Sequence, residues 1–232
     1  MKNIVIIIQG RMGSARFPGK TLYPINGKPV IEYLLDSLKQ LEAIPVIIAT
    51  SEAPKDDEIY NYCIMKKIRC YRGSETNVAS RFYNIVNQMQ PDYFIRICAD
   101  SPLLDHRIVS NAINYADNGY DIVSTVPSQS YPSGMNVEMI KSSVYTTAYQ
   151  YFSTTEHFEH VTKYLYQNNN LFSIKPLSFE SQNYSSLKFS FDTKEDLDKI
   201  ASLLKILKKP HYEYSLSEKC EIFSSIQGGN LC

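Results

Sequence analysis

Five consecutive β-branched residues, Ile4-Val5-Ile6-Ile7-Ile8, end abruptly at Gln9-Gly10 and run into Arg11-Met12-Gly13-Ser14-Ala15-Arg16-Phe17-Pro18-Gly19-Lys20-Thr21. An apolar run without polar alternation reads as a strand buried on both faces, the situation of a parallel sheet covered by helices. The loop that follows is of a different kind. Its glycines let backbone approach a ligand closely, and Arg11, Arg16 and Lys20 put three cations on one short segment. At the C-terminal end of a first buried strand, that combination is what a bound triphosphate requires.

The rest of the chain alternates strand and helix. Val30, Ile31, Leu34, Leu35 and Leu38 recur at helical spacing and predict a helix over 28–40, with Pro29 in its first turn. Residues 45–50 form a second β-branched run, 51–54 a loop and 56–67 a helix. A short strand over 69–72 precedes a helix capped by Thr76 or Asn77 and reaching residue 89. Residues 93–98 are a third strong strand, and a helix over 107–118, capped by Asp105, stops at Gly119. Further strands are expected over 120–125, 136–140, 171–177 and 187–191, with helices over 142–152 and 154–168. Asp192 to Asp196 should cap a helix reaching residue 208, and a weak helix after Pro210 should end in a frayed Gly228-Gly229-Asn230. Strand-helix-strand order implies right-handed crossovers and a mostly parallel sheet. No repeat, low-complexity segment or long linker divides residues 1–232, so one domain is expected.

Composition removes several function classes. Lys plus Arg and Asp plus Glu both number 24, and zero net charge argues against general nucleic-acid or anionic-membrane binding. An anion site must therefore come from local clustering. Cys63, Cys70, Cys98, Cys220 and Cys232 are odd in number and contain no CxxC pair, which disfavours a disulfide framework or a zinc site and fits a reducing cytoplasm. The apolar run after Met1-Lys2 is too short for a signal peptide, and no stretch approaches the ~20 apolar residues that span a bilayer.

Two familiar phosphate loops do not fit. Gly13 to Thr21 spells G-x5-G-K-T, one residue longer than the Walker pattern; Pro18 removes an amide donor and the next helix begins too late. Gly10 and Gly13 do not supply the G-x-G-x-x-G spacing of a dinucleotide loop. What the loop does spell, from Arg11 to Lys20, is R-x-x-S-x-R-x-P-G-K. This resembles the nucleotidyltransferase signature of the acylneuraminate and 3-deoxy-manno-octulosonate cytidylyltransferase family, in particular the branch typified by spore-coat polysaccharide biosynthesis proteins. Further blocks resemble that family in the same order: Gly73 with Arg81-Phe82-Tyr83, Arg96-Ile97-Cys98-Ala99-Asp100-Ser101-Pro102-Leu103-Leu104-Asp105, Tyr120-Asp121-Ile122-Val123-Ser124, Tyr131-Pro132-Ser133-Gly134-Met135-Asn136-Val137-Glu138, Glu159-His160-Val161-Thr162 and Phe189-Ser190-Phe191-Asp192-Thr193. Asn77-Val78-Ala79, Phe17 and Cys98-Ala99 depart from the usual family residues, which bears on the acceptor more than on the reaction.

The resemblance implies a three-layer α/β/α sandwich with a Rossmann-like, mostly parallel sheet of the nucleotide-diphospho-sugar transferase type. It implies attack by an acceptor oxygen on the α-phosphorus of CTP with release of pyrophosphate, a reaction that asks mainly for positioning and charge stabilisation. Arg11, Arg16 and Lys20 would neutralise the triphosphate and the leaving pyrophosphate. Gln9, Gly10, Ser14 and Arg81 would border the nucleotide. Asp100 and Asp192 would hold Mg²⁺, although Asp192 also suits a helix cap and Asp105 suits a cap better than a ligand. Ser133, Gly134, Asn136, Glu138 and His160 would face the acceptor, a sugar acid or a sugar or small-molecule phosphate destined for surface glycan. His160 also suits a hydrogen-bonded structural histidine, and His157, three residues earlier, gives a spacing that could bind a metal, although lone helical histidine pairs are usually not sites. A homodimer through residues 131–175 is implied as well. The rival readings are a nucleotide-sugar glycosyltransferase, which would usually carry a D-x-D motif absent at Cys98-Ala99-Asp100, and a nucleotide-binding regulator that has lost catalysis.

Overall fold

Side-chain alternation along β1 (Ile4–Gln9) generates the architecture: Ile4, Ile6 and Ile8 enter one core, and Val5 and Ile7 enter a second core on the opposite face of the sheet. The computed structural model describes residues 2–14, 16–41, 43–179 and 184–228, with the side chains of 227 and 228 excluded. Ala15 of the cationic loop, Cys232 and the expected frayed end beyond Gly228 lie outside the described residues.

Following β1 come a small antiparallel hairpin, β2 (Pro24–Ile25) and β3 (Lys28–Pro29), then α1 (Val30–Leu38), β4 (Val46–Ser51), α2 (Asp57–Lys66), β5 (Arg69–Gly73), α3 (Val78–Met89) and β6 (Tyr93–Cys98). The second half contains α4 (His106–Ile113), β7 (Ile122–Ser124), β8 (Glu138–Lys141), α5 (Ser142–Tyr149), α6 (Thr155–Glu159), α7 (Lys163–Gln167), β9 (Ile174–Pro176), α8 (Lys194–Ile206) and α9 (Leu216–Gly228). Among the described residues these strands form a seven-stranded sheet in the order β5-β4-β1-β6-β8-β7-β9. β5, β4, β1 and β6 run parallel, whereas β8 is antiparallel to both of its neighbours. The expected mostly parallel sheet with helices on both faces is present. One core packs residues of α1, α2, α4, α8 and α9 on one face, and the other packs α3, α5 and α7 on the opposite face. No helix among the described residues is long and apolar enough to cross a membrane.

Several local expectations change. Helix α1 starts at Val30 because Lys28 and Pro29 pair with the preceding hairpin strand. The helix expected over 154–168 is two short helices broken at His160, where φ −104° and ψ 80° leave the helical region and Val161 is buried. Residues 187–191 are not a strand; a single parallel bridge joins Ser133 to Lys188. Thr193, not Asp192, caps α8, in a reciprocal capping box with Asp196. Asp192 is thereby left to other partners. Asn77 and Asp105 cap α3 and α4 as expected.

Candidate functional site

The chain runs from β1 outward to β4 and β5, then returns to place β6 on the other flank of β1. The order therefore reverses between β1 and β6, and crevices at such switch points, beyond the carboxyl ends of the strands, are where open α/β sheets bind ligands. Gln9 and Cys98 end those two strands in register. A cleft of about 270 Å³ opens there, lined by Gln9, Gly10, Arg11, Ser14, Arg16 and Lys20 from the loop side. Arg81, Cys98, Ala99 and Asp100 complete the wall.

The loop is fixed by its own hydrogen bonds rather than by a helix N-terminus. Gly19 N donates to Met12 O at 2.8 Å, Phe17 N donates to Ser14 Oγ at 3.3 Å and Thr21 Oγ1 donates to Arg11 O at 3.2 Å. Fully buried Asp56 holds the loop from below: its Oδ1 accepts from Met12 N at 2.7 Å and its Oδ2 accepts from the Ser51 backbone and hydroxyl. Gly10 lies so close to the β6 end that an added Cβ would sit 3.1 Å from Ala99 Cβ.

At the mouth of the cleft, the Lys20 ammonium is paired with Asp100 and lies 3.6 Å from Asp192 Oδ1. Arg16 reaches the other oxygen of Asp192 at 3.0 Å, and Lys188 lies 3.3 Å from that same oxygen. Two carboxylates 92 positions apart in sequence thus converge on one lysine from the opening loop. Arg11 pairs with Glu159 at 3.2 Å, which ties the loop to α6, and His160, the residue after Glu159, is exposed.

The polar floor beside the cleft is a network missed in the sequence. Arg96 donates to Gln9 Oε1 at 3.2 Å and pairs with Glu138. Tyr166 donates to the second Glu138 oxygen at 2.9 Å, and burial raises its hydroxyl pKa well above the usual value. Glu138 is 1% exposed with both oxygens engaged, so it supports the floor instead of presenting a free carboxylate to an acceptor. A lone arginine in the otherwise apolar run Tyr93–Cys98 was the available signal for this network. Asp56 and Lys188 carried no comparable signal.

Arg81 lines the cleft, but its guanidinium serves backbone carbonyls: Nε donates to Ser74 O at 2.8 Å and Nη2 to Glu75 O at 3.2 Å. Burial presses its pKa below the ordinary value for arginine. Ser133 and Gly134 pack on the segment leading to Asp192. The Ser133 and Ser190 hydroxyls are 2.6 Å apart, and Gly134, at φ +91°, would carry a Cβ only 2.6 Å from Ser190 N. Asn136 is exposed. His157 Nδ1 accepts from Ser153 N at 3.3 Å and its Nε2 lies 2.9 Å from Gln167 Oε1, a structural arrangement with both nitrogens occupied.

Comparison with known proteins matches residues 5–222 to a family model described as cytidylyltransferase. The chain is 29% identical over 214 residues to the spore coat polysaccharide biosynthesis protein SpsF of Bacillus subtilis, covering 88% of this chain and 87% of that protein. Its fold is similar to that of a cytidylyltransferase from Leptospira borgpetersenii, with TM-score 0.91, 22% identity and coverage of 98% of this chain and 96% of the other. It is also similar to a CMP:2-keto-3-deoxy-manno-octonic acid synthetase solved with CTP, with TM-score 0.64, 18% identity and coverage of 88% and 98%.

Proposed function

The chain belongs to the cytidylyltransferase family, and from that premise we propose that it transfers CMP from CTP to the hydroxyl of a sugar acid, or to a sugar or small-molecule phosphate, in surface glycan synthesis. The observation that carries this reading is the convergence of Asp100 and Asp192 on Lys20 at the β1/β6 switch point, with Arg16 on the same Asp192. The acceptor oxygen, giving up its proton to solvent where it is a hydroxyl, forms a bond to the α-phosphorus while the bond from the α-phosphorus to the oxygen bridging it to the β-phosphate breaks, and pyrophosphate leaves with that oxygen. Charge grows on the departing oxygens, and Lys20, Arg16 and Arg11 are the cations within reach of them. Arginine supplies a planar fork for phosphate oxygens and Lys20 a compact point charge. Gln9 and Gly10 border the base-proximal floor, where a Cβ at position 10 would meet Ala99 Cβ at 3.1 Å and crowd the β6 end.

Asp100 and Asp192 suit Mg²⁺, because hard carboxylate oxygens from two segments face one cation position and Mg²⁺ commonly takes one or two carboxylates plus substrate phosphates. Among the described residues no group of three or more His, Cys, Asp or Glu side chains is placed to hold a metal ion, so this reading assigns these two carboxylates to the ion and its other positions to substrate phosphate and water. Bound there, the ion supplies Lewis-acid polarisation of the phosphate oxygens. The reading includes a cytoplasmic location and a homodimer through residues 131–175; exposed Tyr151 and Leu171 in that region support the latter.

The test is pyrophosphate release with Mg²⁺, each nucleoside triphosphate in turn, and a panel of sugar acids and sugar phosphates. Acceptor-dependent release with CTP preferred is expected. A clear preference for GTP or UTP overturns the base assignment, and transfer of a sugar from a nucleotide sugar supports the glycosyltransferase reading instead.

A further inference from the structure

We propose that the C-terminal helix α9 is a brace that sets the separation of Asp100 and Asp192, with Lys219 and Phe223 as positioning residues for the transfer. The inference rests on reading those two carboxylates as the pair at the reacting phosphates. One face of α9 touches both of the segments that carry them. Lys219 is completely buried and donates to Leu103 O at 3.1 Å, three residues beyond Asp100. Its ammonium also lies 3.9 Å from Asp105, the residue that caps α4. One helical turn later, the Phe223 ring meets Phe189 edge to face at 4.9 Å, three residues before Asp192. Phe189 in turn donates its amide to Ser133 O at 2.8 Å, so the brace extends to the acceptor-side loop.

The approach to α9 is fastened at the same place. Arg107 donates to Tyr214 O at 3.0 Å and to Glu213 O at 3.3 Å while pairing with Asp105. Leu216 and Cys220 complete the buried face. Lys20 joins the two carboxylates from the solvent side, and α9 joins their backbones from the core side.

A lysine is a costly choice for this position. A methionine would fill the same stem without a buried charge, and burial, opposed in part by the Asp105 carboxylate, depresses the lysine pKa to about 8. What the ammonium supplies and methionine lacks is a directed bond to the backbone that carries Asp100. Removing it is expected to relax the spacing of the carboxylates, with relief of the buried charge offsetting the loss of the bond to Leu103 O.

The experiment compares wild type with Lys219→Met, Phe223→Leu and Phe223→Ala. Mn²⁺ binding in the presence of CTP is followed by the electron spin resonance of the free ion, alongside CTP binding without metal, thermal midpoint, and kcat and KM for pyrophosphate release. For Lys219→Met the midpoint is expected to be unchanged or higher at pH 7, CTP binding without metal unchanged, Mn²⁺ binding weaker by about tenfold and kcat lower. Phe223→Leu should shift Mn²⁺ affinity less than Phe223→Ala. Wild-type Mn²⁺ affinity and kcat in Lys219→Met overturn the brace, as does a loss that simply follows the fall in thermal midpoint across all three variants. If wild type binds Mn²⁺ but transfers no CMP, the functional reading fails, and a shifted Mn²⁺ affinity in Lys219→Met still supports the brace.

Discussion

Replacing Glu138 by glutamine should act through the floor of the cleft. Glu138 is 1% exposed, pairs with Arg96 and accepts from Tyr166 at 2.9 Å, while Arg96 holds Gln9 at 3.2 Å. Glu138→Gln keeps the volume and leaves the Arg96 charge without its counter-ion. Breaking a buried pair from one side costs about 3–5 kcal/mol. The Arg96 side chain is 18% exposed and the new amide can still accept a hydrogen bond, so the lower end, about 3 kcal/mol, applies. For a chain of this size, that lowers the thermal midpoint by about 6–12 °C. The double variant Arg96→Met/Glu138→Met should recover much of the loss, since apolar replacement of a buried pair is close to neutral. Differential scanning calorimetry gives the midpoints, and steady-state kinetics below the transition gives kcat and KM for each acceptor. The expected KM changes are similar for every acceptor. An unchanged midpoint together with a selective rise in the KM of one acceptor would refute the reasoning, because Glu138 would then be contacting substrate directly.

Two further outcomes follow from side chains around the same site. The folded-state pKa of Lys219, about 8, lies below the unfolded value near 10.5, so between these pH values the unfolded chain holds the proton and stability rises with pH. In urea titrations, wild type should gain about 3 kcal/mol relative to Lys219→Met between pH 7 and pH 10.5; a difference independent of pH would contradict a depressed lysine. Gly134→Ala places a methyl 2.6 Å from Ser190 N and 2.7 Å from the Phe189 carbonyl carbon at φ +91°. Left-handed strain and overpacking together should cost about 3 kcal/mol and displace the segment leading to Asp192, lowering kcat as well as the midpoint; a variant with wild-type midpoint and kcat would show that the loop yields freely.

Legibility followed the physics of each segment. Tyr93–Cys98 is legible to the residue, and Ile4–Gln9 to within one, because buried strands concentrate β-branched and other apolar residues and end where glycine or charge begins. Asn77 and Asp105 were legible as caps because their short side chains have a local partner. Phe189 and Phe191 alternate like strand residues, yet their segment makes one bridge and buries its rings against Phe223 and Phe17; a period of two reports burial, not a sheet partner. The break at His160 was hidden because burial of Val161 and the Arg11–Glu159 pair depend on elements far away in sequence. The same reason explains the site. The sequence pointed to Arg11, Arg16 and Lys20 and to Asp100 and Asp192, and the structure brings Lys20 and Arg16 onto those two carboxylates. Arg96, Asp56 and Lys219 acquire meaning only from what they touch across the fold.

The most direct test of the central claim is a double-mutant cycle on the carboxylate pair, read as kcat for pyrophosphate release from CTP in Asp100→Ala, Asp192→Ala and the double variant. If both carboxylates act as one unit around Lys20, each single change should lower kcat by about a hundredfold or more, and the double change should cost little beyond the worse single. Either single variant retaining kcat within about threefold of wild type, or fully additive losses, would contradict it.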